Sequence, residues 1–137
     1  MNISKVVYLG DLRTEAIHLS SGTVVRSDAP RDNHGKGELF SPTDLVATAT
    51  ASCMLTTMGI VAQKNHLAME GTEANVVKVM ADKPRRIAEI HTYLKIPAGN
   101  LSEGDKSLLE NAATTCPVVM SLSPEIKKII EFSKNIG

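Results

Sequence analysis

The sequence contains no tryptophan, and aromatic side chains make up only 3% of its 137 residues. A core built from it must be aliphatic, and the aromatic stacking platforms of single-strand nucleic-acid binders are not expected. Neither sign of charge is in excess: 15 Lys and Arg balance 15 Asp and Glu. A nucleic-acid footprint wants a basic surplus, so nucleic acid is not an expected partner. The same neutrality gives little electrostatic protection against self-association. Cysteine occurs only twice. The N-terminal MNISKVVYLGDLR lacks the basic start and long apolar region of a signal peptide, which points to a reducing, cytoplasmic setting. Two cysteines there are expected as free thiols or redox partners. Charge is missing altogether from Leu45 through Gln63. That run is long enough to cross a membrane. It carries Thr48, Thr50, Ser52, Thr56 and Thr57, however, and has no basic or aromatic flanks. A helix buried on nearly all sides, with no membrane partner, is the expectation.

The length fits one domain, 1–137, with a core that needs no disulfides. SKVVYLG, RTEAIHLSSG and TVVRSDAP read as an N-terminal β-meander, turning at Ser21-Gly22. The polar loop PRDNHGKGELF follows. Ser41, Pro42 and Asp44 then open a helix as cap, first-turn proline and capping-box acid. That helix should run to about Asn65, with Gly59 inside it at a cost of about 1 kcal/mol relative to alanine. EGTEANVVKVMAD and RRIAEIHTYLKIPAG alternate as strands around a DKPR turn. A second helix starts at Ser102 with Asp105 as its capping-box acid and ends near Thr115; its apolar face is Leu108, Leu109, Ala112 and Ala113. Cys116 and Pro117 open a short helical turn. SPEIKKIIEFS suits helix or strand, with strand preferred for its β-branched residues. The pattern is α+β.

The thiols are the most chemical groups in this chain. Burial in the long helix would raise the Cys53 pKa and leave it inert, and core filling is the ordinary role of such a residue. Cys116, at a helix start, faces exposed N–H groups that favour a thiolate. The two stand 63 positions apart, so only a fold can join them. His18, His34, His66 and His91 show no ligand spacing, and no metal is expected.

FSPTDLVATATASCML and, some sixty residues later, LLENAATTCPVVMSL resemble the family of osmotically inducible protein C and the organic hydroperoxide resistance proteins. The element order matches over essentially the whole chain. The resemblance implies a fold of two intertwined subunits, a homodimer with active sites at its interface. It implies a thiol peroxidase needing no metal, flavin or haem. Cys53 would attack a hydroperoxide and become a sulfenic acid, and Cys116 would resolve it as a disulfide. An external dithiol, lipoyl-type or similar, would reduce the disulfide. An arginine from the N-terminal strands would hold the thiolate: Arg13 is the best match and Arg26 the alternative. Met54, Leu55, Met58 and Met120 are candidates to line an apolar pocket selecting an organic peroxide. The hydroperoxide-resistance branch has a glutamate directly after the proline that opens the helix, where this chain has Thr43. Asp44, one residue and about 100° away on a helix, and Glu38 are the candidate substitutes. The rival expectation is a non-enzymatic small-ligand-binding or redox-sensing module on the same fold.

Overall fold

The computed structural model describes residues 1–97, 99 and 101–133. The chain divides into two compact units, Met1–Val46 and Ala47–Gly137.

The first unit is the expected meander: β1 (Ser4–Gly10), β2 (Arg13–His18) and β3 (Val24–Asp28) in one antiparallel sheet of order β1-β2-β3. Gly22, at a positive φ of 78°, makes the β2–β3 turn, a conformation glycine reaches without a Cβ penalty. A single 3₁₀ turn, Arg31–Asn33, interrupts the polar loop. The burial is inverted: Ser27, Asp28 and Ser41 are buried, whereas Val6, Val7, Tyr8, Leu9, Val24 and Val25 are exposed.

The long helix α1 (Pro42–Lys64) begins in the first unit and continues through the second. Its start is capped as predicted. The Asp44 backbone N–H donates to Ser41 Oγ at 3.0 Å, and the Ser41 N–H donates to Asp44 Oδ2 at 2.9 Å. Burial departs from the expectation. Ala47, Thr50, Ala51, Met54, Met58 and Ala62 are buried, whereas Val46, Ser52, Thr56, Ile60 and Gln63 form an exposed, uncharged stripe. This helix is apolar enough to cross a membrane by length and composition. One face of it nevertheless packs into the protein's own core.

In the second unit, β4 (Glu73–Ala81) and β5 (Arg86–Lys95) pair antiparallel. Both are shorter than their sequence segments, and residue 98 of the second segment lies outside the described residues. α2 (Glu103–Thr114) carries the predicted capping box between Ser102 and Asp105. α3 (Pro117–Ser121) follows, and β6 (Lys127–Ser133) completes the sheet of order β4-β5-β6. The preference for a strand in the final segment is correct, but its pairing is parallel to β5. Parallel neighbours need a crossover, and α2 with α3 supplies it. The core comprises Met54, Met58 and Ala62 of α1, Leu94 of β5, Ile96, Leu109, Ala112 and Ala113 of α2, then Cys116 and Val119. Leu108, expected on the apolar face of α2, is exposed. Residues 109, 112 and 113 follow the 3–4 spacing of one helical face, and residue 108 turns about 100° off it.

Candidate thiol site

Cys53 lies three turns into α1, half-buried at the edge of the core cluster. Cys116 lies inside that cluster at 0% exposure. Local chemistry fixes its place. α2 ends as the Thr115 N–H and hydroxyl donate to the Ala112 and Asn111 carbonyls. Pro117 then opens α3 with Cys116 as its cap residue. Tertiary packing brings the two residues to one place: Cys53 packs against the core cluster that contains Cys116.

The electrostatic expectation for Cys116 is overturned. Burial pushes its pKa up, and Cys53 adds to that rise. The Val119 and Val118 N–H groups at the start of α3 pull the other way and do not prevail. Desolvation disfavours the charged form, and a five-residue helix at the core surface offers little against full burial. Cys116 is therefore held as a thiol, and Cys53 is the more accessible sulfur.

Arg13 belongs to the first unit, at the start of β2. Its Nε donates to Asp28 Oδ1 at 2.6 Å and its Nη2 to Asp28 Oδ2 at 2.9 Å, a bidentate pair. Nη2 also donates to Glu38 Oε1 at 3.1 Å. Asp28 is 1% exposed and also accepts the Glu38 backbone N–H at 3.1 Å, so it fixes both the arginine and the loop. Nη1 keeps its two N–H groups uncommitted among the described residues. Of the two candidate substitutes, Glu38 reaches Arg13, whereas Asp44 closes the helix cap. The main partner, Asp28, was not foreseen. The signal was present: the turn after His18 pairs Ile17 with Val24, and counting back along that register sets Arg13 opposite Asp28. Cross-strand neighbours share a face and lie within reach of long side chains. Arg26 pairs with Glu15 across the same two strands as an exposed ion pair, the ordinary role of a solvated strand charge.

Arg13 raises its own already high pKa through the Asp28 hydrogen bonds, and it holds the Asp28 carboxyl below the usual carboxylate range against the opposing effect of burial. A carboxylate depressed in the folded state stabilises fully above its unfolded value, about 3.9, and loses that contribution as pH falls through the folded value. Acidification below about pH 4 should therefore weaken the wild-type protein through Asp28. Asp28→Asn should be less stable at neutral pH and lose less on acidification. Thermal midpoints of both proteins at neutral pH and at about pH 3 check this; parallel shifts would remove Asp28 from the account.

The four candidate pocket residues differ in exposure. Met54 and Met58 are fully buried, Leu55 packs against the core, and Met120 is 64% exposed. A groove of about 290 Å³ is lined by Thr56, Gly59, Ile60, Ala62, Gln63, Leu67, Met69 and Glu70. Two histidines are held by neighbours: His91 lies between Glu89 (2.9 Å) and Tyr93 (3.2 Å), and His18 meets Ser21 at 2.6 Å. No group of three or more His, Cys, Asp or Glu that could hold a metal occurs among the described residues.

The profile of the OsmC-like protein family matches residues 35–131. Comparison with curated proteins gives no match. A crystal structure from Psychrobacter arcticus 273-4, named for osmotic stress induction and a detoxification response, is similar at 48% identity over 97% of this chain and 96% of that one, with a TM-score of 0.92. An organic hydroperoxide resistance protein from Legionella pneumophila, 15% identical over 98% of both chains, shares the fold at a TM-score of 0.75. One from Elizabethkingia anophelis, 14% identical over 98% of both chains, does so at 0.75 as well. With residues 35–131 of its 137 inside the family profile, the chain belongs to the OsmC-like protein family.

Proposed function

We propose that the protein is a thiol-dependent reductase of organic hydroperoxides acting in oxidative-stress defence. The convergence of Cys53 and Cys116, 63 positions apart in sequence, on one core cluster carries this reading. The family supports the coarser role, resistance to peroxide stress, since several similar structures bear that name. The difference in exposure between the two thiols, Cys53 half-buried and Cys116 enclosed, supports the finer one. A peroxidatic sulfur must be reachable and ionisable; a resolving sulfur must wait beside it, protonated and shielded from oxidation.

In the first step the Cys53 thiolate attacks the terminal oxygen of ROOH. The O–O bond breaks, a sulfenic acid forms, and the alkoxide leaves and takes a proton as ROH. Cys116 then loses its proton and attacks the Cys53 sulfur. The S–S bond forms, and hydroxide leaves and is protonated to water. Both thiols are oxidised by two electrons in total and the peroxide is reduced by two. An external dithiol, R′(SH)₂, restores both thiols and becomes the disulfide. No metal or organic cofactor is required. Arg13 is assigned as the thiolate's cation: Asp28 fixes its plane, and Nη1 retains two donors for a charge-assisted bond.

The single-domain enzyme is assigned to the reducing cytoplasm as a homodimer. Exposed apolar side chains along β1, together with the uncharged stripe of α1, call for a covering partner. A second copy meets that need, and sedimentation should give twice the chain mass. A monomer would remove the dimer from the proposal.

The deciding experiment is intact mass and free-thiol count on the reduced protein before and after one equivalent of an organic hydroperoxide, then of hydrogen peroxide. A loss of about two daltons with both thiols consumed and Cys53 linked to Cys116 is expected, faster with the organic substrate. Thiols that remain unreacted for many minutes would overturn the enzyme reading.

A further inference from the structure

The polar loop between β3 and α1 closes on Gly35. A Cβ placed there would overlap the Ala29 carbonyl group. Only glycine lets two backbone segments approach so closely. Through this approach the Gly35 N–H reaches the Pro30 carbonyl at 2.9 Å, and the Gly37 N–H reaches the Ala29 carbonyl at 3.2 Å. The loop is folded back on the end of β3, and the next residue, Glu38, meets both members of the Arg13–Asp28 pair. Its backbone N–H donates to Asp28 Oδ2 at 3.1 Å, and its carboxylate accepts from Arg13 Nη2 at 3.1 Å. The same chain segment grips the residue before the arginine, where the Ala29 N–H donates to the Leu12 carbonyl at 3.0 Å. The Glu38 side chain is 59% exposed. An exposed ion pair adds little to stability, so a loop shaped to hold this one calls for another reason.

We infer that Gly35 is a positioning residue for Arg13: its missing side chain lets the loop seat the Glu38 carboxylate on Nη2, which fixes the guanidinium in one orientation. The inference rests on the role given to Arg13 in the hydroperoxide reading above. Asp28 holds one edge of the guanidinium, from Nε to Nη2. A second acceptor on Nη2, anchored to a different segment of chain, removes the rocking that one edge allows. The negative charge of Glu38 offsets the cation that a thiolate needs. Glu38 therefore contributes as a placed acceptor, and its charge is not what the reaction uses.

The test measures kcat/KM for cumene hydroperoxide with dithiothreitol as the reductant. Glu38→Ala should lower it about tenfold, the effect of a loosened catalytic group. Glu38→Gln keeps the acceptor without the charge and should recover most of that loss. Gly35→Ala should match Glu38→Ala, and the double variant should stay near the same tenfold instead of reaching about a hundredfold, since both act through one contact. Additive losses overturn the inference. So does a Glu38→Gln rate as low as that of Glu38→Ala. Glu38 is exposed, so its variants fold and decide the matter even where Gly35→Ala does not.

A second measurement needs no turnover. Carbon NMR follows the titration of the Asp28 carboxyl, which the Glu38 backbone N–H helps to hold low. Gly35→Ala should unseat that N–H and move the titration to higher pH, whereas Glu38→Ala keeps the N–H and should not raise it. An Asp28 titration unmoved by Gly35→Ala overturns the inference, because the loop would then be seated without the glycine. The expected shift in a protein that turns over no hydroperoxide upholds the seating of Arg13 and sinks only the peroxidase reading.

Discussion

Cys116→Ser is expected to react with one equivalent of organic hydroperoxide and stop. Its mass should rise by about sixteen daltons, the sulfenic acid on Cys53, instead of falling by two. Turnover with an external dithiol should drop sharply, because no internal thiol closes the disulfide. Cys53→Ser should lose turnover by about 1,000-fold or more, since a serine hydroxyl in this setting has no base to make it a nucleophile. The two variants separate the roles because the sulfurs occupy different environments. Cys53 is half-buried and reachable, whereas Cys116 is fully enclosed and held as a thiol by burial. Mass spectrometry with a sulfenic-acid trap reads both outcomes. The opposite pattern, with Cys53→Ser reacting and Cys116→Ser inert, would reverse the assignment.

Leu109→Ala should be far more damaging than Leu108→Ala, although the residues are neighbours in sequence. Leu109 is fully buried in the cluster that encloses Cys116, alongside Ala112, Ala113 and Val119. Removing a buried leucine side chain in favour of alanine costs about 2–5 kcal/mol, through lost transfer energy and the cavity left behind. Against a total stability of about 5–15 kcal/mol, that is a large fraction. Leu108 is 44% exposed, and its truncation should change stability by under about 1 kcal/mol. Urea unfolding checks the contrast: the Leu109→Ala midpoint should fall by about 1–2 M, the Leu108→Ala midpoint by a small fraction of that. Equal shifts would mean that α2 is not seated on the core as described. Leu109→Ala should also loosen the enclosure of Cys116, so its thiol should react faster with alkylating reagents than in the wild-type protein.

Local signals and long-range ones behaved differently. Both capping boxes, Ser41 with Asp44 and Ser102 with Asp105, were visible as spacings of three residues, and both form. The meander, the β4–β5 hairpin and the Cys116-Pro117 helix start were visible for the same reason: turn and cap chemistry acts over a few neighbouring residues. The final segment was harder. Ile126, Ile129, Ile130 and Phe132 satisfy either period over so short a run, and the open edge of β5 settles it by pairing with residues 127–133.

The thiols show where sequence reasoning stops. Helix-terminus electrostatics is local and predicted an activated Cys116. Burial is a property of the assembled core and outweighed it. That Cys53 packs against the cluster holding Cys116 depends on distant segments meeting in one core, and no spacing in the sequence shows it. The Arg13–Asp28 pair lay between these extremes, derivable from one hairpin's register but hidden while the strands were read singly. The sequence by itself determined the α+β class, the order of elements, the helix starts and the two sulfur atoms available for chemistry, because these follow from short-range backbone preferences and composition. Only the tertiary structure decided which sulfur is enclosed, which carboxylate holds the arginine and which face of α1 is left open, because desolvation and contact between distant segments exist only once the chain has packed.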